Sequence, residues 1–301
     1  MTLPSKVRIF EVGARDGLQN EKQMVPADIK VELIERLVDA GVAAVETGSF
    51  VSPKWVPQMA DTADVMAKLS RREGVTYAVL TPNMKGYEGA IASKADEIEI
   101  FSAAAEMFNQ RNINCSIAES LERFAPVTEA AKAAGIPYRA SVSCALGSPF
   151  EEEVTPEAVA DVAKKLYDMG SYEVSIADTI GVGTPLRTKK VIEAVAKVMP
   201  LEAIGVHFHD TYGQALANYL AALEMGISKL DSSVAGLGGC PYAPGATGNV
   251  ATEDVVYMLD GMGIDSGIDL KKLVKTAWFI SDYLGRSPVS SVARALKSKI
   301  D

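Results

Sequence analysis

The chain carries only two histidines, and they stand two positions apart as His207-Phe208-His209. Chance placement gives that spacing in roughly 0.7% of cases, so counting favours a shared purpose. On a strand, residues two apart point to the same face, and two imidazoles there converge on a point that suits a divalent cation. The bland alternative is a pair of core histidines hydrogen-bonded to neighbouring strands. Asp16 supplies an acidic group at another strand terminus, and Asn249 could add a neutral amide oxygen. Such a mixed nitrogen and oxygen set, with no thiolate at matching spacing, favours Mg²⁺ or Mn²⁺ over a structural zinc.

Arg15 precedes Asp16 directly. It is either half of a local surface ion pair or a guanidinium whose fixed donors meet a carbonyl becoming an oxyanion. In the second case a carboxylate must hold it, and Glu46 is the candidate. Cys240 lies among glycines at 236, 238, 239, 245 and 248. It is either a thiol tolerated in a turn or part of a loop that closes and delivers an acid or base. Cys115 and Cys144 lack that setting and read as packing. Asp178-Thr179 either face a site or begin the next helix.

Positioning such residues takes a scaffold, and the sequence repeats one. Short apolar, β-branched runs lie at Val7–Val12, Ala43–Thr47, Thr76–Leu80, Glu97–Ser102, Pro137–Ser143, Glu173–Ala177, Ala203–His209 and Lys229–Ser233. Amphipathic stretches separate them. One runs from Ile29 to Val38 and stops at Gly41. Another spans Pro156–Met169, with Thr155 as its cap and Gly170 as its stop, and a third spans Thr211–Met225 before Gly226. Eight strand-helix units in about 260 residues predict a closed (β/α)₈ barrel. A doubly wound open sheet is the alternative, but Gly13-Ala14-Arg15-Asp16-Gly17 after the first strand is not its phosphate-binding fingerprint. The barrel is expected over about 5–264 and a short helical cap over about 265–301, from helices at Asp269–Leu284 and Val289–Lys299, all within a single domain. In a barrel the active site sits at the C-terminal ends of the strands, where Arg15-Asp16, Glu46, Ser49, Ser175, Asp178 and the two histidines all fall.

Composition narrows the rest. Of 301 residues, 48% are hydrophobic and 23% charged, which excludes a disordered chain, and no apolar run suggests a membrane span. With 30 basic against 39 acidic residues the net charge is −9, and no basic cluster supports nucleic-acid binding. Three cysteines form no disulfide framework, and no leader precedes the first strand, so a cytoplasmic protein is expected.

Four blocks of sequence go further. They are Gly13 to Lys22 (GARDGLQNEK), Ser49 to Met59 (SFVSPKWVPQM), His207 to Gln214 (HFHDTYGQ) and Ser233 to Tyr242 (SVAGLGGCPY). Together they resemble the 3-hydroxy-3-methylglutaryl-CoA lyases, and the likeness runs from about residue 7 to the C-terminal helices. The Arg-Asp pair and the His-x-His are shared with isopropylmalate and homocitrate synthases, whereas the Cys240 loop and the Ser49 block are narrower. The resemblance implies metal-dependent retro-Claisen cleavage of an acyl-CoA substrate, giving acetyl-CoA and acetoacetate in leucine degradation. It implies Asp16, His207, His209 and Asn249 as metal ligands, and Arg15, oriented by Glu46, as stabiliser of the thioester enolate. It makes Cys240 the proton donor to that enolate and places Asp178 and His207 in catalysis. Arg15, Gln19, Lys22, Ser49, Ser175 and Thr179 would line the path of the acyl group or CoA. A homodimer is the family expectation. The chain departs from the animal mitochondrial members: no cysteine follows Cys240, and Ser298-Lys299-Ile300-Asp301 is not a peroxisomal ending. These departures suggest a bacterial enzyme. The rival readings are a condensing acyl-CoA synthase, a 4-hydroxy-2-oxo acid aldolase and a barrel that binds without catalysing.

Overall fold

Parallel strands need a covering element between each pair, and the alternation of apolar runs with amphipathic helices supplies it. The computed structural model describes residues 3–150, 152–239 and 248–299. Its strands are β1 (Arg8–Glu11), β2 (Ala44–Ser49), β3 (Thr76–Leu80), β4 (Glu97–Ala103), β5 (Tyr138–Ser143), β6 (Val174–Asp178), β7 (Ile204–Phe208) and β8 (Lys229–Ser232). They form a closed barrel in sequence order, each pair parallel, with Glu11 of β1 opposite Ser232 of β8 at the closing seam. The (β/α)₈ expectation holds, and each strand lies within two residues of its predicted limits.

Local chemistry sets the helix ends. The Thr155 hydroxyl accepts from the Ala158 amide and starts the helix Pro156–Asp168, which buries Val159, Val162, Ala163 and Leu166. The helix expected from Thr211 begins instead at Ala215, because Asp210 Oδ1 takes the Ala215 amide at 2.9 Å and holds residues 210–214 in a turn. Between β4 and β5 two helices occur, Glu106–Ile113 and Ile117–Ala134. Asn114 stops the first in a left-handed conformation, and Ser116 with Glu119 forms a capping box for the second. The helices Leu270–Tyr283 and Ser291–Leu296 lie on the barrel flank: Asp269 N bonds Ala40 O, and Val289 N bonds Ala235 O beneath the segment after β8.

The barrel interior is more polar than its apolar strand runs suggest. Arg139 of β5 is fully buried and donates to both oxygens of Asp231 at 2.8 and 3.0 Å, to Glu173 at 2.8 Å and to Glu99 at 3.4 Å. Its guanidinium also stands 4.0 Å from the ring centre of Phe10. Among the described residues no helix is long and apolar enough to cross a membrane.

Candidate metal and catalytic centre

The turn after β1 places the first two functional side chains. Gly13–Gly17 forms a single π-helical turn, a conformation often found at functional sites, and it carries Arg15 and Asp16 on the barrel's C-terminal mouth. Two strands away, across β8, β7 ends at Phe208 and the chain returns as an antiparallel bridge between His209 and Asn249. Val250 N bonds Phe208 O and Asp210 N bonds Gly248 O, so the backbone itself sets Asn249 beside His209.

Three of the four expected metal ligands gather. Asp16, His207 and His209 each offer a donor atom within 4.8 Å of the others. Nε2 of His207 lies 3.9 Å and Nε2 of His209 lies 3.8 Å from Asp16 Oδ2. These gaps are too long for hydrogen bonds and leave space for an ion among the three atoms. Asn249 joins them, its amide nitrogen donating to Asp16 Oδ2 at 2.7 Å and to Leu237 O at 3.3 Å. With a cation bound, the amide would turn its oxygen, the only end with lone pairs to offer, toward the cluster.

The electrostatics suit a cation. Burial opposes ionisation of Asp16, but Arg15, His207, His209 and the Asn249 amide outweigh it and hold the carboxyl at about 2. Burial, with His207 nearby, lowers His209 to about 4, so it stays neutral, with Nδ1 buried and, among the described residues, without a hydrogen-bond partner. His207 moves the other way. Burial lowers it, yet the hydrogen bond to Asp231 and the charges of Asp16 and Asp231 raise it overall. Nδ1 of His207 lies 3.3 Å from Asp231 Oδ2, which Ser175 Oγ and Arg139 also hold. An imidazole whose Nδ1 proton faces a carboxylate presents Nε2 as a lone pair, the form a metal needs. Two imidazoles, a carboxylate and an amide therefore fit a hard or borderline divalent cation.

Arg15 is buttressed as expected. Its Nε contacts Glu46 Oε2 at 2.5 Å and its Nη1 contacts Asp16 Oδ1 at 2.8 Å, while among the described residues Nη2 has no protein acceptor. A bulge between Glu46 and Gly48 in β2 marks this part of the barrel wall. Burial pushes the Glu46 carboxyl well up; Arg15 opposes that and Glu99 adds to it.

The remaining expected residues divide. Gln19 donates to Asp16 Oδ1 at 2.8 Å and so belongs to the cluster's rim. Asp178 is buried at the end of β6, where it accepts the amides of Val182 at 3.1 Å and Gly183 at 2.8 Å. It therefore caps a turn, and the helix that follows starts only at Pro185. Burial raises its carboxyl to about 6, against the pull of those amides and of His207. The Thr179 hydroxyl accepts from Cys144 N at 2.8 Å, and the Ser49 hydroxyl accepts from Val51 N at 3.2 Å. Lys22 is exposed on the segment after the first turn. Cys240 lies outside the described residues. Asp231 and Arg139, which orient His207, were not singled out in the sequence, although a charged residue inside each apolar strand run was a signal for them.

This arrangement defines a class: a (β/α)₈ barrel enzyme with a candidate divalent-cation site at its C-terminal mouth and a buttressed guanidinium beside it. The HMGL-like family model matches residues 6–280. A mitochondrial hydroxymethylglutaryl-CoA lyase from Rattus norvegicus is 58% identical over 294 residues, which is 98% of this chain and 90% of that protein. The crystal structure of a hydroxymethylglutaryl-CoA lyase from Pseudomonas aeruginosa superposes with a TM-score of 0.97 at 56% identity, covering 99% of this chain and 100% of that one. An HMG-CoA lyase from A. baumannii in complex with coenzyme A and 3-methylmalate matches with a TM-score of 0.93 at 35% identity, covering 98% and 97%. The chain belongs to the hydroxymethylglutaryl-CoA lyase family.

Proposed function

We propose that the protein cleaves 3-hydroxy-3-methylglutaryl-CoA to acetyl-CoA and acetoacetate. Membership of the lyase family supports this, and the observation that carries it is the convergence of Asp16, His207 and His209 beside an Arg15 held by Glu46. In the reaction the tertiary hydroxyl loses its proton, and the bond between the carbinol carbon and the thioester's α-carbon breaks. The electron pair passes to the thioester enolate, the carbinol oxygen becomes the ketone of acetoacetate, and the enolate takes up a proton to give acetyl-CoA.

Asp16, His207, His209 and Asn249 would hold the cation, Mg²⁺ or Mn²⁺ by the donor set, which supplies Lewis-acid stabilisation of the substrate's hydroxyl oxygen as it loses its proton. Arg15 would meet the enolate oxygen through its Nη2 donors, which have no protein acceptor among the described residues. Asp178, whose carboxyl burial raises to about 6, would take the hydroxyl proton, His207 would serve catalysis as a ligand of the cation, and Cys240 would return a proton to the enolate. Gln19, Lys22, Ser49, Ser175 and Thr179 would border the acyl or CoA path, with Ser175 acting through Asp231. We further take the enzyme to be a homodimer acting in leucine degradation, as the family resemblance suggests, and to be a cytoplasmic protein of one domain with a helical cap, as its cysteine usage and strand-helix repeat suggest.

Incubation with 3-hydroxy-3-methylglutaryl-CoA, with and without a chelator, tests the reading. Metal-dependent release of acetoacetate supports it. Consumption of acetyl-CoA with a 2-oxo acid, or release of pyruvate without a thioester, would overturn it.

A further inference from the structure

Glu11 ends β1 and is fully buried; its backbone pairs with β2 and β8, and its carboxyl group accepts hydrogen bonds from segments beyond the strands. Oε1 accepts the amides of Gly13 and Val234, each at 2.8 Å, and Oε2 accepts the Thr252 hydroxyl at 2.6 Å. These three partners lie on three functional segments. Gly13 opens the turn that carries Arg15 and Asp16. Val234 opens the stretch that runs through Gly239 toward Cys240. Thr252 begins the helix just after Asn249.

Contact is close enough to exclude side chains. A Cβ on Gly13 would stand 2.6 Å from Glu11 Oε1 and 2.9 Å from Val234 Cγ1. Glu253 reinforces the arrangement by accepting the next amide, Ala235 N, at 2.9 Å and 3.2 Å. Ala235 itself has φ 61°, a left-handed conformation that residues with a Cβ seldom adopt without support. A buried carboxyl group is costly, so a position needing only bulk would suit an aliphatic residue better.

The structure assigns Glu11 as a positioning residue for the cleavage reaction: it sets the spacing between the Arg15–Asp16 turn and the segment that leads to Cys240. The inference rests on the roles proposed above for Arg15 and Cys240. Losing the shared acceptor lets the two segments move apart, so the enolate would form without its proton donor at the right distance.

The test compares Glu11→Leu and Glu11→Gln in the full-length enzyme, alone and combined with Cys240→Ser. Leu removes every acceptor, and kcat should fall on the order of 10- to 100-fold with KM within about threefold. Gln keeps an oxygen for both amides and should recover most of that loss. In the Cys240→Ser background the loss should shrink, because the group being placed is already gone. Mn²⁺ affinity, read by calorimetry independently of turnover, should weaken roughly tenfold in Glu11→Leu because Asp16 rides on the tethered turn. If Glu11→Leu does not fold, Gly13→Ala takes its place in the same cycle, since it forces the turn off the intact carboxyl group. Wild-type kcat and Mn²⁺ affinity in the Leu or Ala variant would overturn the assignment, as would an undiminished loss in the Cys240→Ser background. A wild-type protein that releases no acetoacetate would instead sink the activity, leaving the Mn²⁺ measurement to judge the tether.

Discussion

Replacing Arg15 with methionine keeps most of the side chain's length and removes its charge and all five donors. Two of its nitrogens are committed to protein, Nε to Glu46 and Nη1 to Asp16, and among the described residues Nη2 has no protein acceptor. Removing one preorganised donor to a developing oxyanion costs about 10²–10³ in turnover, or roughly 3–4 kcal/mol. Because Nη2 carries two N–H groups and the guanidinium as a whole carries a positive charge, kcat should fall at least 10²-fold. The fold should survive. Glu46 loses its partner, but burial already pushes that carboxyl upward, so it can take a proton in place of leaving a bare buried charge. Adding Glu46→Gln should therefore leave kcat no lower than in Arg15→Met alone, because the carboxylate would have nothing left to orient. The assay is steady-state acetoacetate release at saturating metal, with thermal melts run alongside. A kcat within tenfold of wild type would refute the enolate role, and a double variant slower than the single one would give Glu46 chemistry of its own.

The other sites lend themselves to shorter tests. His209→Ala should abolish or severely weaken Mn²⁺ binding by calorimetry, whereas Cys240→Ser should lose most turnover and keep the metal; normal turnover in the latter would remove the thiol from the mechanism. Asp231→Asn should weaken Mn²⁺ binding about 10- to 100-fold by releasing the His207 ring, and unchanged affinity would count against that coupling. Glu253 gives a pH test of stability. Burial raises its carboxyl from 4.5 to about 8, so the folded state holds the proton more tightly than the unfolded one. Its favourable contribution is complete below about 4.5 and is lost as pH rises toward 8, by on the order of 4 kcal/mol. Glu253→Gln should thus gain Tm relative to wild type between pH 5 and pH 8, and a constant difference would refute the proton linkage.

The barrel was legible in the sequence because its strands are fully covered and read as apolar runs, and because Gly41, Gly170 and Gly226 punctuate its helices at positive φ. The convergence of His207 and His209 followed from strand periodicity. What periodicity could not supply was contact across the barrel. Asp231 sits opposite His207 in the β7–β8 register, and Arg139 reaches it from β5, a pairing that depends on closure of the whole sheet. Asn249 beside His209 depends on a long excursion returning antiparallel, which no local pattern encodes. Asp178 shows the same limit at short range: no local pattern reveals that its carboxyl accepts the Val182 and Gly183 amides.

The same view of the interior explains how a chain of net charge −9 can accept an anionic thioester. Carboxylates inside the barrel are each bound to a guanidinium, an imidazole or backbone amides: Glu46 to Arg15, Asp231 to Arg139 and His207, Asp178 to two amides. Their negative charge is met locally, so the mouth offers the substrate the outward donors of Arg15 together with a cluster suited to a divalent cation. Surface acidity then matters little to a group that is already inside. A bound cation and Arg15 would share the substrate's negative charge, which is why removing either should cost turnover while the surface charge stays the same.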